Sequence, residues 1–244
     1  MQENWFENWF NSPYYKLLYS HRNENEAAYF LDCLLDHLKP PLDAQMLDLA
    51  CGMGRHSIYL ADRGFDITGI DLSTTFIEEA RNHEHDHLSF FVHDMRNLFR
   101  VNHYDYIFNF FTSFGYFEKD YDNYRVLNAV SKGLRENGLF VIDYLNIYKA
   151  QEEMIAEQTI ERGDVVFDIK KETSDGFIRK HIQFKVEGKE FNYEENVRLI
   201  SLADFEKYFQ KVGLTIQEVF GDYGLKSFNY QTSDRLILVA KQNA

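Results

Sequence analysis

The glycine-rich turn that follows an apolar run near residue 46 constrains the fold of this chain more than any other feature. Residues 46–56 read MLDLACGMGRH, which predicts a buried strand, a turn and the start of a helix. Gly52 and Gly54 have no Cβ, so the turn can adopt positive φ and a ligand can lie against bare backbone. The free N–H groups at the helix start, near Arg55, favour an anionic ligand group. Asp71 ends the next predicted strand and can accept hydrogen bonds from a ribose diol, so the pattern predicts a nucleoside-containing cofactor.

The glycine spacing distinguishes between two classes of such cofactors. Dinucleotide-binding folds use G-x-G-x-x-G, in which the third glycine allows close packing of the helix. Here Ser57 stands at the third position, and Ala50 stands where an earlier glycine could be. The pattern D-x-A-x-G-x-G instead resembles motif I of the class I S-adenosylmethionine (SAM) methyltransferases.

The rest of the chain extends this resemblance. Residues 88–93, 104–110 and 139–143 predict the third, fourth and fifth strands, and the turn at 136–138 is similar to a family turn with Asn137 in place of one glycine. The segments 214–220 and 235–241 resemble the antiparallel pair that closes the methyltransferase sheet. The resemblance implies an α/β fold: a Rossmann-like, doubly wound sheet of seven strands, mostly parallel, with an antiparallel last strand.

The pattern along the chain predicts two units. Strands alternate with helices to about residue 144, which predicts a parallel sheet, and residues 26–38 form a clear amphipathic helix. Residues 165–172, 177–186 and 191–200 instead predict three strands of a small antiparallel β insertion. We therefore predict a SAM-binding domain of residues 1–148 and 201–244, with residues 1–40 as a helical cap, and an insertion of residues 149–200. The insertion is either a lid or a dimer interface.

Aromatic residues crowd the start of the chain at helical spacing. This much apolar surface predicts that the segment packs on the domain. It is either a simple packing helix or a lid over the cofactor. The residues are Trp5, Phe6, Trp9, Phe10, Tyr14, Tyr15 and Tyr19.

Composition excludes several classes of partner. The net charge of −13, without clustered Lys and Arg, argues against nucleic acid and anionic membranes. No apolar run approaches the ~20 residues of a membrane span, and residues 1–10 lack the features of a signal peptide. His21, His56, His93 and Cys51 show no metal-ligand spacing. We expect a cytoplasmic protein, monomer or homodimer, that uses no metal and acts on a small-molecule acceptor.

The family resemblance implies a set of cofactor-binding residues. An acidic residue after the third strand, here Asp94, takes the adenine amino group in the family, and the apolar Met95 covers the ring. An arginine before the first amphipathic helix, here Arg22, pairs with the methionyl carboxylate in similar enzymes; the alternative is an ordinary surface arginine. The full set is Arg22, Asp48, Ala50, Gly52, Gly54, Asp71, Leu72, Asp94, Met95, Asn109 and Phe110.

Three residues are catalytic candidates. The segment 113–116 resembles a segment of bacterial amino-sugar N-methyltransferases, and more loosely of glycine methyltransferases. In the sugar enzymes the residue matching Tyr116 points at the acceptor amine; a buried core tyrosine is the alternative. Asp222 is either a carboxylate that attracts a cationic amine or a turn former. His181 is a candidate base on the polar face of the insertion, where a lid would turn that face to the acceptor.

These observations predict a SAM-dependent methyltransferase that releases S-adenosylhomocysteine, with N-methylation favoured over O-methylation. Two alternatives stay open at this stage. A SAM-binding protein without turnover would share the glycine turn, but the polar residues Ser113, Tyr116 and Asp222 on the acceptor side argue against it. An NAD(P)-dependent oxidoreductase is opposed by the missing third glycine, by Asp94 and by the closing strand pair.

Overall fold

The computed structural model describes residues 5–19 and 24–243 of the chain. Helices α1 to α8 span Trp5–Phe10, Pro13–Leu18, Glu24–Leu38, Arg55–Ala61, Thr74–Ala80, Asp120–Gly133, Ile147–Glu152 and Leu202–Val212. Strands β1 to β11 span Gln45–Leu49, Asp66–Asp71, Leu88–Val92, Tyr104–Asn109, Leu134–Leu145, Glu157–Arg162, Val165–Ser174, Phe177–Val186, Lys189–Arg198, Leu214–Phe220 and Arg235–Gln242.

The main sheet has seven strands in the order β10-β11-β5-β4-β1-β2-β3. Strands β3, β2, β1, β4 and β5 pair in parallel, whereas β11 lies antiparallel between β5 and β10. Apolar residues of α3, α4 and α5 pack in one core cluster and those of α6 and α8 in another. The predicted fold class is confirmed.

The insertion forms a second sheet of four antiparallel strands in the order β6-β7-β8-β9. The sequence predicted three of them and missed β6. Ile160 is the only aliphatic residue of β6, so the alternation that identifies a half-buried strand is absent from its sequence. The short helix α7, between β5 and β6, was also missed.

The aromatic start of the chain is packed, as its composition predicted. Trp5, Phe6 and Trp9 are buried, and they share a core cluster with Phe167 and Phe184 of the second sheet. The segment forms two short helices instead of one. Helix α1 ends before Pro13, because proline lacks the N–H that would continue it. Pro13 then begins α2, and Ser12 is its N-cap. Below, residues 5–19 are called the N-terminal segment.

Within residues 5–19 and 24–243, none of the helices combines the length and the apolar character that crossing a membrane requires.

Candidate active site

The turn between β1 and α4 has the left-handed backbone that its sequence predicted. Gly52 and Gly54 have φ of 58° and 83°, and Ala50 has φ of 57°. A Cβ on Gly54 would lie 2.5 Å from the ring of Phe90, whereas a Cβ on Gly52 would meet nothing within 4 Å. Gly54 therefore allows the turn to pack on β3, and Gly52 leaves open space for a ligand.

Asp71 ties this turn to the end of β2. Its Oδ2 accepts a hydrogen bond from the backbone N–H of Gly52 at 2.9 Å, and its Oδ1 accepts one from the N–H of Ser73 at 2.8 Å. Burial raises the pKa of the Asp71 carboxyl, and these N–H groups act against the rise. A carboxylate offers about four acceptor positions, so acceptor capacity remains for a ligand hydroxyl beside the N–H groups of Gly52, Ser73 and Leu72.

Asp48, in β1, is buried below the same turn. It accepts a hydrogen bond from the Ser57 hydroxyl of α4 at 2.7 Å. Burial raises the pKa of Asp48 to about 7, although the bond from Ser57 acts in the opposite direction. Asp48 therefore links β1 to α4 at the base of the site.

A cavity of about 640 Å³ opens in front of this turn; we call it the cofactor cavity. The predicted residues Asp48, Ala50, Gly52, Asp71 and Phe110 line it. The N-terminal segment covers the opposite side through Phe10, Tyr15, Lys16 and Tyr19. Five of the residues that the resemblance assigned to the cofactor therefore meet at one place, and the N-terminal segment forms part of its wall.

A narrow extension of about 60 Å³ adjoins this cavity; we call it the adenine slot, after the role that the family resemblance predicts for Asp94 and Met95. Its lining includes the predicted residues Leu72, Asp94 and Met95, together with Phe10 and Phe117. Apolar side chains on several sides suit a flat aromatic ring.

The carboxylate of Asp94 already has a protein partner in this slot. The Arg96 guanidinium donates to both of its oxygens at 2.7–3.1 Å. Burial acts to raise the pKa of Asp94, but the hydrogen bonds from Arg96 outweigh it and hold that pKa below its usual value. Sequence reasoning missed Arg96, which lies within reach of any group that binds Asp94.

Two predicted cofactor residues line neither of these spaces. Asn109 lines neither cavity; its side-chain amide donates to the Leu49 carbonyl at 3.0 Å and so joins β4 to β1. Gly54 also stays out of the lining, because it faces Phe90. Asn109 and Gly54 therefore support the turn through contacts within the sheet, at Leu49 and Phe90. Arg22 lies outside the described residues, so its predicted role stays a prediction.

A second cavity of about 560 Å³ lies beside the cofactor cavity; we call it the acceptor cavity. Phe111 and Tyr116 line both, and Tyr116 also lines the adenine slot. The acceptor cavity further contains Thr112, Leu145, Val197, Tyr223 and Arg235, and four carboxylates: Glu26, Glu195, Asp222 and Asp234.

Tyr116 is held where these spaces meet. Its ring lies 5.4 Å from that of Trp5 and 5.6 Å from that of Phe10, between centroids. The preceding Gly115 has φ of 82°, and a Cβ there would lie 2.4 Å from the Tyr144 hydroxyl. The turn before Tyr116 therefore requires glycine, and the N-terminal segment supports the tyrosine ring.

A buried ion pair lies at the wall of the acceptor cavity. Asp143, at the end of β5, is fully buried and accepts a hydrogen bond from Arg235 Nε at 2.7 Å. It also accepts the N–H of Phe111 at 2.9 Å and the hydroxyl of Tyr223 at 3.2 Å. The other end of the Arg235 guanidinium donates to Thr112 Oγ1 at 2.8 Å.

This network holds a strained loop in place. Phe111 and Thr112 both have positive φ, at 57° and 59°, which is uncommon outside glycine. Sequence reasoning missed the network, although an aspartate within the apolar run of β5 was a signal that a buried partner exists.

Asp222 forms a turn and also lines the acceptor cavity, so it fits both roles that its sequence allowed. Its Oδ1 accepts the backbone N–H of Lys226 at 3.1 Å, as a turn former does, and the residue also lines the acceptor cavity. Burial acts to raise the pKa of Asp222, but the hydrogen bonds from Lys226 prevail and lower it. Asp222 is therefore ionised at neutral pH.

The second sheet meets the site with the opposite face from the one expected. The expectation that its polar face, with His181, turns to the acceptor is wrong. Phe184 packs against Tyr14, with ring centroids 4.6 Å apart, so the face of Phe184 covers the N-terminal segment. His181 is on the other face, half exposed, and its Nδ1 lies 3.4 Å from Glu194. On the face of His181, Gln183 and Lys185 are exposed to solvent, whereas Arg179 is buried and pairs with Glu118.

Comparisons with known proteins agree with this geometry. Residues 46–138 match the family model of the methyltransferase domain. The chain is 24% identical to the dTDP-3-amino-3,4,6-trideoxy-alpha-D-glucopyranose N,N-dimethyltransferase of Streptomyces venezuelae, over 85% of this chain and 91% of that protein.

Two solved structures show the same fold. An S-adenosylmethionine-dependent methyltransferase from Clostridium acetobutylicum aligns with a TM-score of 0.79 at 24% identity, over 97% of this chain and 99% of that one. A SAM-bound amino pentose methyltransferase from Micromonospora echinaspora aligns with a TM-score of 0.70 at 18% identity, over 95% and 98%.

Proposed function

We propose that this chain, which belongs to the class I S-adenosylmethionine-dependent methyltransferases, transfers a methyl group to the nitrogen of a small-molecule amine. The observation that carries the proposal is the position of Tyr116. Its side chain lines the cofactor cavity, the adenine slot and the acceptor cavity. A group that touches all three spaces stands where a cofactor methyl and an acceptor atom would meet.

The residues of the cofactor cavity fit SAM. Asp71 keeps acceptor positions for the ribose hydroxyls, and the space above Gly52 is open to a chain of atoms along the backbone. Leu72 and Met95 line a slot for the adenine ring. When bound, SAM supplies a methyl group on a positively charged sulfur, which is already activated for displacement.

The charges around the acceptor cavity favour a cationic amine. The guanidinium of Arg235 is balanced by Asp143, whereas four carboxylates face the cavity. Lysines pair with three of these carboxylates, but Glu26 makes no salt bridge within the part of the chain that the structure describes. Four carboxylates and one guanidinium make the lining mostly negative, and such a cavity concentrates cationic ligands.

The cavity suits nitrogen better than oxygen as the methylated atom. A hydroxyl acceptor needs a base to remove its proton during the reaction. An amine instead releases its proton to water before the reaction and attacks through its lone pair, and the carboxylates of the cavity then stabilise the positively charged methylammonium product. Among the described residues that line this cavity there is no histidine. Asp222 has a lowered pKa, so it can hold an ammonium group but is a weak base. Tyr116 Oη would then orient the amine nitrogen towards the cofactor cavity.

The relatives support the same substrate class. The Streptomyces venezuelae relative is named as a dimethyltransferase of an amino sugar, and a solved structure of similar fold is named as an amino pentose methyltransferase. Both names describe amines on small molecules.

The test is methyl transfer from labelled SAM to a panel of small amines, including amino sugars, and to matched hydroxyl compounds. We expect label in an amine. The Tyr116→Phe variant should lower kcat about 10-fold or more and leave the Kd for SAM unchanged, because its hydroxyl orients the acceptor. Tyr121→Phe is the control, since Tyr121 is 70% exposed on α6. Label only in hydroxyl compounds, protein or RNA would contradict the proposal.

The same assay separates the alternatives. A SAM-binding protein without turnover would bind S-adenosylhomocysteine and methylate nothing in the panel. The predictions of a cytoplasmic location, of no metal, of no nucleic-acid partner and of a monomer or homodimer stay predictions.

A further inference from the structure

A partly buried carboxylate joins the N-terminal segment to the second sheet. Glu195 of β9 is only 16% exposed, and its Oε1 accepts the indole N–H of Trp9 at 2.7 Å. The hydroxyl of Tyr19 lies 2.6 Å and 2.7 Å from its two oxygens. Lys180, its cross-strand partner in β8, lies 3.3 Å from Oε2. One carboxylate thus binds a polar group from α1 and another from the residue that follows α2.

This carboxylate stands between the two cavities. Glu195 lines the acceptor cavity, while its partner Tyr19 lines the cofactor cavity. The Lys180 ammonium also hydrogen-bonds to the Tyr19 hydroxyl and lies 4.6 Å from the Tyr19 ring centroid. Hydrogen bonds to a charged acceptor in a site shielded from water are stronger than neutral ones.

The contacts continue from Glu195 to Tyr116. The ring of Trp9 packs on that of Tyr193 at 4.5 Å, which fixes α1 against the second sheet. On the same helix, Trp5, one turn before Trp9, and Phe10, which directly follows Trp9, pack on the ring of Tyr116. A shift of α1 would therefore move the support of the tyrosine that touches all three spaces.

We propose that Glu195 is a positioning residue for methyl transfer: it holds the N-terminal segment closed over the cofactor and so fixes the ring of Tyr116. The proposal concerns the cofactor side of the site. It requires SAM as cofactor but does not depend on which acceptor is methylated.

The chain provides its own reporter for this test. It contains two tryptophans, Trp5 and Trp9, and both are buried in the N-terminal segment. Tryptophan emission therefore reports on this segment alone and shifts to longer wavelength when the indoles meet water. The adjacent Glu194 provides a matched control, because it faces the opposite side of β9, where it is half exposed beside His181.

The experiment compares Glu195→Gln with Glu194→Gln in the full chain. Tryptophan emission is recorded without ligand, and the dissociation rate of S-adenosylhomocysteine is measured by stopped flow. Glutamine keeps one acceptor oxygen but removes the negative charge, and it places an NH₂ group beside the donors of Trp9, Tyr19 and Lys180. We expect Glu195→Gln to shift the emission to longer wavelength and to raise the dissociation rate about 10-fold, a factor that corresponds to about 1.4 kcal/mol. Glu194→Gln should behave as wild type in both.

A folded Glu195→Gln protein with wild-type emission and dissociation rate would overturn the proposal. So would a fall in thermal midpoint with neither effect, since that would indicate a merely structural role. If Glu195→Gln does not fold, Tyr19→Phe decides, because it removes only the hydroxyl that bonds both Glu195 oxygens; wild-type dissociation would overturn the proposal there too. If wild type binds no S-adenosylhomocysteine, the cofactor assignment fails, and the emission of the variants still tests the closure.

Discussion

Replacing Asp48 by asparagine should stabilise this protein at alkaline pH. Asp48 is 1% exposed, and its one side-chain hydrogen bond in the described structure comes from the Ser57 hydroxyl at 2.7 Å. Burial raises the pKa of its carboxyl from 3.8 to about 7, and the nearby charge of Asp71 adds to the rise. Above that pH the folded protein carries a buried charge that water would solvate in the unfolded chain.

The sign follows from the protons that each state binds. Between pH 3.8 and about 7, the folded state keeps a proton on Asp48 that the unfolded state has released, so the free energy of unfolding falls as the pH rises. A pKa difference of this size corresponds to about 4 kcal/mol when fully expressed. Asparagine stays neutral and can still accept from Ser57. We expect Asp48→Asn to raise the free energy of unfolding by about 1–4 kcal/mol at pH 8 and by less at pH 5.

Urea unfolding followed by circular dichroism at intervals between pH 5 and pH 8 measures this difference. The control is Asp86→Asn, at an exposed turn, which should follow the wild type at every pH. An Asp48→Asn protein that is no more stable than wild type at pH 8 would refute the reasoning. A gain that shrinks as the pH rises would refute its sign.

Two further predictions concern the packing of the site. Gly54→Ala should lower the free energy of unfolding by about 2 kcal/mol or more, because its φ is 83° and the new Cβ would meet the Phe90 ring. Denaturant titration measures this loss, and adding Phe90→Leu should recover part of it. Arg235→Met should lower the free energy of unfolding by about 3–5 kcal/mol, because it leaves the Asp143 carboxylate buried without its cation. Adding Asp143→Asn should restore part of that stability, and a single variant as stable as wild type would contradict the network.

The main sheet could be predicted because its strands are short apolar runs separated by helices and turn residues. The strand Leu214–Phe220 begins and ends at the predicted residues. The cofactor turn could be predicted equally well, because glycines after an apolar run indicate a left-handed backbone, which Gly52 adopts. In each case the signal is local, within a few residues of the element that it specifies.

The parts that escaped prediction depend on contacts between distant segments. Arg235 reaches Asp143 across 92 positions because β11 runs antiparallel beside β5, and neither residue's sequence neighbours reveal the other. Glu195 and Trp9 are 186 positions apart. The orientation of the second sheet was predicted from polarity, but its face is set by burial of Phe184 on the N-terminal segment.

Calorimetric titration of the wild type and of Asp71→Ala with S-adenosylhomocysteine and with NAD tests the central claim most directly. Asp71 bonds the Gly52 N–H at 2.9 Å and keeps acceptor positions for a ribose. We expect the wild type to bind S-adenosylhomocysteine and not NAD. The Asp71→Ala protein, if circular dichroism shows it folded, should bind about 5- to 150-fold more weakly, since charge-assisted hydrogen bonds worth about 1–3 kcal/mol are lost. Binding of NAD with none of S-adenosylhomocysteine would contradict the account.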